Sequence, residues 1–296
     1  MRAFIPGDIL IQQLRHPLAE EKKIIISMAR LDLLHPIVSG NKIFKLRYFL
    51  QEAISSGKDV LTYGGAYSNH LLATAYACKQ AGINCKGMVR GEKPVKLSDT
   101  LQHCLHYGMK LEFLSREDYK KSAGEEDKNI NAEFIEIPEG GFSSKGAKGA
   151  ATILPYLLKA NPSHICTAVG TATTLAGLIM NNCNLKTIAV PVLKNMQDIH
   201  ERVSRLTGSV SVPHLDIWTD YHFSGYAKHN KDLINFMNEF YLAHHIALDF
   251  VYTAKLMNGV MDKLKNNYFT EGDHIVCLHT GGLQGNHSLP AGSLCF

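Results

Sequence analysis

Apolar positions follow two alternating periods along this chain. Short apolar runs bounded by turn residues read as strands over residues 23–28, 60–63, 85–90, 110–114, 134–137, 165–169, 187–193, 215–218 and 274–278. Between several of them apolar residues recur every three or four positions, the helical period. Over 43–54 they fall at 43, 46, 50 and 53, and Gly57 follows as a stop. Further helices are expected from His70 to about Gln80, closed by Gly82, and over 97–106, 147–158, 231–242 and 253–265. Pro155 should kink the helix over 147–158. The charged stretch 120–131 has no period and is expected as an exposed connection or as disorder. Strand–helix alternation predicts an α/β protein built on parallel sheets covered by helices.

Glycine-rich turns follow several of these strands. They occupy 64–70, 138–141, 170–177 and 279–282. In open α/β sheets the carboxyl ends of the strands are where ligands bind. The segment Gly170-Thr171-Ala172-Thr173-Thr174 joins an apolar strand to a helix. Small residues let backbone approach an anion, the helix start supplies unpaired N–H groups, and the threonines add hydroxyls. A plain tight turn explains the same residues equally well. The segment is neither GxGxxG nor a phosphate loop with a Lys-Ser/Thr tail, so a dinucleotide fold or an ATPase is not favoured. In Gly65-Ala66-Tyr67-Ser68-Asn69-His70, Ser68 could simply cap a helix. Alternatively Ser68 and Asn69 face a ligand whose carboxylate is held by backbone N–H groups.

Composition narrows the classes. The 296 residues can bury a large core and form one or two domains. A net charge of +4 is small and spread out, with no basic run interleaved with aromatics, so no nucleic-acid partner is expected. The N-terminus lacks a signal-peptide pattern, and no apolar run reaches the 18 or so residues of a membrane span. Seven scattered cysteines, never CxxC, suit reduced thiols, and a cytoplasmic protein is expected. There is no HExxH and no metal is expected. Of fifteen histidines, His70, His222 and His279 lie beside glycine turns and are candidates for a site.

The most informative segment is Ser39-Gly40-Asn41-Lys42-Ile43-Phe44-Lys45-Leu46. It places the Lys42 amine at a helix N-terminus, where the macrodipole disfavours added positive charge. By itself this is a solvated surface lysine. A site that lowered its pKa would give a nucleophilic amine, whose commonest use is a Schiff base with a carbonyl or with pyridoxal phosphate.

Five motifs in order carry a resemblance. They are Gly-Asn-Lys-x-x-Lys-Leu at 40–46, Gly-Gly-x-x-Ser-Asn-His at 64–70, the Thr/Gly-rich loop at 170–177, Tyr-Thr-Ala-Lys at 252–255 and His-Thr-Gly-Gly at 279–282. Supporting stretches lie at 30–36, 138–141 and 221–228. The chain resembles the 1-aminocyclopropane-1-carboxylate (ACC) deaminase and D-cysteine desulfhydrase family over roughly 25–285. That family implies pyridoxal 5'-phosphate and the type II, tryptophan synthase β-like fold. The resemblance assigns Lys42 to the Schiff base and Ser68, Asn69 and His70 to the substrate carboxylate and cofactor. Asn69 is the expected partner of the cofactor's phenolic oxygen. Gly170, Thr171, Ala172, Thr173 and Thr174 would bind its phosphate, with Thr253 and Thr280 also near the cofactor. Ser68, Tyr226 and Tyr252 would stand near the reacting carbons. Lys45 is a structural or electrostatic companion. Ala172 stands where glycine is usual, which matters if that position needs positive φ.

Thr253 and Thr280 occupy positions where ACC deaminases resemble Glu and Leu, and this looks like the desulfhydrase side. A neutral hydroxyl near the pyridine nitrogen strengthens the electron sink less than a carboxylate would. The implied reaction is β-elimination on a small D-amino acid, D-cysteine giving pyruvate, sulfide and ammonia. The alternatives are ACC deamination to 2-oxobutanoate and ammonia, a hydrolase by class, and a pyridoxal-phosphate-binding protein without turnover. A larger domain of residues 1–45 plus 151–296 would carry an inserted smaller domain of 46–150, and a homodimer is the fold-level expectation.

Overall fold

Two sheets organise the described residues of the computed structural model, which are 7–123, 133–180, 185–208, 212 and 214–296. The larger sheet has six strands in the order β1 (Ile11–Leu14), β2 (Ile25–Arg30), β10 (His274–His279), β7 (His164–Val169), β8 (Lys186–Pro191) and β9 (Leu215–Ile217). The smaller has four, in the order β5 (Lys110–Leu114), β4 (Cys85–Arg90), β3 (Asp59–Gly64) and β6 (Phe134–Ile137). All neighbours run parallel except β1, which pairs antiparallel with β2. Gln12 and Gln13 interrupt β1's short apolar pattern, which hides it in the sequence. A lone antiparallel edge on a parallel sheet is a common arrangement.

The helices in chain order are α1 (Pro17–Glu21), α2 (Lys42–Ser56), α3 (Asn69–Ala81), α4 (Asp99–His106), α5 (Arg116–Ala123), α6 (Ser144–Ala151), α7 (Leu154–Leu158), α8 (Thr173–Met180), α9 (Ile199–Thr207), α10 (Lys231–His244) and α11 (Thr253–Lys265). Ser68, Ser98, Ser143 and Asn230 cap α3, α4, α6 and α10 by accepting a backbone N–H three residues on, each contributing about 1 kcal/mol. α2 buries Ile43, Phe44, Leu46, Phe49, Leu50 and Ala53. These pack in one apolar cluster with Val60 and Leu71 beside the smaller sheet and with Val276 and Leu278 of the larger. The helix that begins at Lys42 therefore lies between the sheets.

Several expectations need correction. The helix expected over 147–158 is two helices rather than one kinked helix, because Pro155 falls in the first turn of α7, where its missing N–H costs nothing. The charged segment begins as helix α5, and 124–131 lies outside the described residues. Helix α9 was not expected, although its buried Ile199, Val203 and Leu206 keep helical spacing. Cys78, Cys85, Cys104, Cys166, Cys277 and Cys295 are free thiols, and Cys183 lies outside the described residues. Among the described residues no cluster could hold a metal ion, and no helix is long and apolar enough to cross a membrane.

Candidate active site

The carboxyl ends of β2, β10 and β7 in one sheet, and of β3 and β6 in the other, feed the loops that carry the candidate residues. The loop after β2 is anchored first. Arg30 donates through Nε and Nη2 to the Asp32 carboxylate at 2.9 and 2.7 Å, and through Nη1 to Gln12 Oε1 at 2.7 Å. Gly40 N donates to Leu31 O at 3.1 Å, and Asn41 N to Thr280 O at 3.3 Å. Gly40 has φ +69, and a β-carbon there would lie 1.8 Å from Thr280 O. Only glycine lets the 39–42 loop seat against the 279–282 turn.

Lys42 opens α2 from this seat, and its Nζ donates to Asn41 Oδ1 at 2.7 Å. Asn41 in turn donates through Nδ2 to Thr174 Oγ1 at 2.8 Å, so the amine is tied to the glycine-threonine loop through Asn41. Burial lowers the Lys42 pKa to about 8, against an upward pull from the Asp249 carboxylate. At neutral pH a larger share of Lys42 is then uncharged than of a free lysine, whose pKa is about 10.4. Lys45 is fully enclosed, and burial and the charge of Lys42 hold its amine well below the usual range. Its Nζ donates to Gly140 O at 3.1 Å, which fits a companion linking α2 to the 138–141 turn.

The glycine-threonine loop has the shape of an anion cradle. Ala172 has φ +68, the left-handed conformation that glycine adopts freely. A left-handed residue at a helix entry turns successive N–H groups toward one point. Thr171 and Thr173 share a hydroxyl hydrogen bond of 2.8 Å, and Gly140 packs so closely that a β-carbon there would lie 2.9 Å from Thr171 Cγ2. Gly170 lies under Tyr252, where an added β-carbon would be 3.2 Å from the ring.

At the start of α3, Ser68 Oγ accepts Leu71 N at 3.2 Å, which is the capping role. Its own hydroxyl proton remains available to a ligand. Asn69 differs: both the nitrogen and the oxygen of its amide are buried and have no partner. Such groups are costly unless a ligand or water completes them. His70 is buried, and burial and the charges of Lys42 and Lys45 hold it well below the usual imidazole range. Thr62 Oγ1 donates to Ile137 O at 2.8 Å and so accepts from His70 Nε2 at 2.9 Å. This leaves His70 neutral, with an unpartnered Nδ1 lone pair.

Tyr226 and Tyr252 meet edge to face with ring centroids 6.1 Å apart, and Tyr252 Oη donates to Tyr226 Oη at 3.4 Å. Desolvation raises both phenols, although 46% of the Tyr226 surface is exposed, and each keeps its proton at neutral pH. Thr253 follows at the first residue of α11, fully buried, and donates through Oγ1 to Asp249 Oδ1 at 2.7 Å. Asp249 also accepts the N–H groups of Val251, Tyr252 and Thr253 at 3.0, 2.7 and 2.9 Å. Thr280 is buried at the 279–282 turn. His279 donates through Nε2 to Ala247 O at 2.7 Å and accepts Gly281 N at Nδ1, so it braces that turn. His222 enters through its carbonyl alone, which accepts from Lys255 Nζ at 2.8 Å.

Three contributors escaped the sequence reading: Asn41, which joins Lys42 to Thr174; Asp249; and Lys255. Asp249 stands three residues before the N-cap Tyr252, outside the position that a helix-start signal marks. A cavity of about 1060 Å³, lined by Tyr48, Lys145, Lys148, Pro155, Tyr156 and Lys159 among others, shares no residue with these loops. Volume alone does not mark the site.

Residues 16–281 match the family model described as pyridoxal-phosphate dependent enzyme. A Pyrococcus abyssi protein, provisionally named 1-aminocyclopropane-1-carboxylate deaminase, is 29% identical, the match covering 95% of this chain and 91% of that one. A Thermotoga maritima protein with the same provisional name is 30% identical over 90% of this chain and 92% of its own. The crystal structure of an ACC deaminase homologue superposes with a TM-score of 0.77 at 26% identity, covering 96% of this chain and 92% of the other.

Proposed function

Since the chain belongs to the pyridoxal-phosphate dependent enzymes of type II fold, we propose that it catalyses β-elimination on a small D-amino acid, converting D-cysteine and water to pyruvate, sulfide and ammonia. Its cofactor is pyridoxal 5'-phosphate. When bound, this group withdraws electrons from the substrate α-carbon. The residues present fit it: the Lys42 amine is depressed to about 8, Asn69 offers an unpartnered buried amide, and Ala172 opens an anion cradle.

The rest follows from the chain's own side chains. Asn41 Oδ1 holds Lys42 Nζ at the head of α2. From there the uncharged amine takes the α-proton. The Ser68 hydroxyl, the Asn69 amide and the His70 Nδ1 lone pair orient the substrate's carboxylate and amine. The neutral phenols of Tyr226 and Tyr252 supply a proton to the departing thiolate.

Thr253 carries the choice of leaving-group chemistry. Its single hydroxyl proton is given to Asp249, so toward the site it presents only a lone pair. A neutral acceptor leaves the electron sink weaker than a carboxylate would. Expelling a thiolate makes a smaller demand on that sink than opening a cyclopropane ring. The relatives' names favour the second reading, ACC deamination to 2-oxobutanoate and ammonia. Incubation of the holoenzyme with each compound separates the two. Sulfide and pyruvate from D-cysteine support the first reading, whereas 2-oxobutanoate from ACC with no sulfide from D-cysteine would replace it. The four-stranded sheet falls within 59–137, which supports the division into an inserted unit of 46–150 and a larger unit of 1–45 plus 151–296.

A further inference from the structure

Lys255 lies in the first turn of α11, three residues after the N-cap Tyr252, and its side chain is closed to solvent. A lysine is almost never fully buried without partners. Here the partners are two backbone carbonyls: Nζ donates to His222 O at 2.8 Å and to Gly225 O at 2.7 Å. These oxygens bracket an unusual turn. Phe223, Ser224, Gly225 and Ala227 have φ of +48, +68, +119 and +52. Within 223–227 only Tyr226 is outside the left-handed region. Three of the four are not glycine, and each is disfavoured in that conformation. Such a turn persists only where its surroundings over-determine it. The carbonyls it turns inward converge on the ammonium, and an apolar side chain in place of Lys255 would leave both unpaired, that of Gly225 in a buried site.

We propose that Lys255 is a positioning residue, which holds Tyr226 against Tyr252 by binding the two carbonyls that frame the turn. The consequence for turnover rests on the reading of Tyr226 given above. One helix thus supplies Tyr252 directly and sets Tyr226 through Lys255. Burial places the Lys255 amine at about 8 while Asp249 pulls it upward, so the carboxylate that caps α11 also supports the charge that grips the turn. The segment has a second anchor one turn further along. The Tyr221 ring lies on Gly259, where an added β-carbon would be 3.0 Å away, and Tyr221 Oη donates to Asp262 Oδ2 at 2.5 Å. Losing Lys255 should therefore release the turn without detaching the segment.

The test compares wild type, Lys255→Met, Tyr226→Phe and the double variant. Hydrogen–deuterium exchange of the holoenzyme is read over 222–228 and 253–265. Turnover is read on D-cysteine, or on ACC where that is the compound consumed. Lys255→Met should speed exchange at 223–227 at least tenfold and leave 253–265 unchanged. It should lower kcat about as far as Tyr226→Phe with KM within threefold, and the double variant should lie within twofold of the slower single. Unchanged exchange, or losses that multiply in the double variant, would overturn the proposal. Should Lys255→Met not fold, Lys255→Gln is read with a threefold exchange threshold. If Tyr226→Phe keeps full turnover, the tyrosine reading falls by itself, and exchange alone decides whether Lys255 holds the turn.

Discussion

Gly40 and Thr280 touch so closely that no other residue type can stand at position 40: an added β-carbon would lie 1.8 Å from the Thr280 carbonyl oxygen. The contact joins the Lys42 loop to the turn after β10. Gly40→Ala is expected to cost on the order of 4 kcal/mol, the range reserved for severe core disruption. Gly57 has nearly the same φ, +66, but opens on empty space. Gly57→Ala should therefore cost only about 1–2 kcal/mol, the conformational penalty alone. Urea unfolding of both variants checks this, and equal losses would show that the close approach is unimportant.

Ala172 holds a left-handed conformation in the candidate phosphate cradle. Replacing it with glycine removes the side-chain penalty, and the gain should be about 1 kcal/mol. A thermal shift of the holoenzyme should rise by a few degrees, with cofactor affinity kept or improved. A lower midpoint would mean that the methyl group's buried packing outweighs the backbone relief.

Asp249 accepts four hydrogen bonds at the head of α11 and bears electrostatically on Lys42 and Lys255. Asp249→Ala should cost at least about 2 kcal/mol, combining a lost cap with unpaired buried donors. It should also move the Lys42 amine further down, because the attraction that raises it is gone. A pH titration of cofactor attachment would reveal an upward move if this sign is wrong.

The buried lysines predict a direction for stability against pH. Lys42 and Lys255 have folded pKa values of about 8, below the usual 10.5. Between these values the unfolded chain binds more protons than the folded one, so stability rises with pH. The penalty is complete below pH 8. The raised tyrosines act oppositely where unfolded phenols ionise, above about pH 10, and the raised thiols of Cys78, Cys104 and Cys166 act oppositely from about pH 8.5. The difference isolates the lysine: from about pH 8 to 9.5 the urea midpoint of the cofactor-free protein should rise more, or fall less, than that of Lys42→Met. Identical slopes would show that Lys42 is not depressed.

Much of this architecture was legible because its signals are local. The apolar runs and Gly57 and Gly82 marked β3, β4 and α2 within a few residues. The motifs likewise placed Lys42 and Thr171–Thr174 on loops that the fold brings together through Asn41. What stayed hidden depends on long-range partners. β1 is a strand because it pairs with β2, not because Ile11-Gln12-Gln13-Leu14 alternates clearly. Lys255 reads as one more helical lysine until the carbonyls of a turn thirty residues earlier close on it. The direction of the Thr253 hydroxyl is set by Asp249, and no spacing rule gives the direction of a side chain.

Three buried or half-buried lysines have depressed amines, and the cofactor is assigned here to Lys42. Borohydride reduction of the holoenzyme followed by mass mapping of its peptides decides among them. The added mass is expected on Lys42 alone, and none in Lys42→Ala. A label on Lys45 or Lys255, or on no lysine at all, would contradict it.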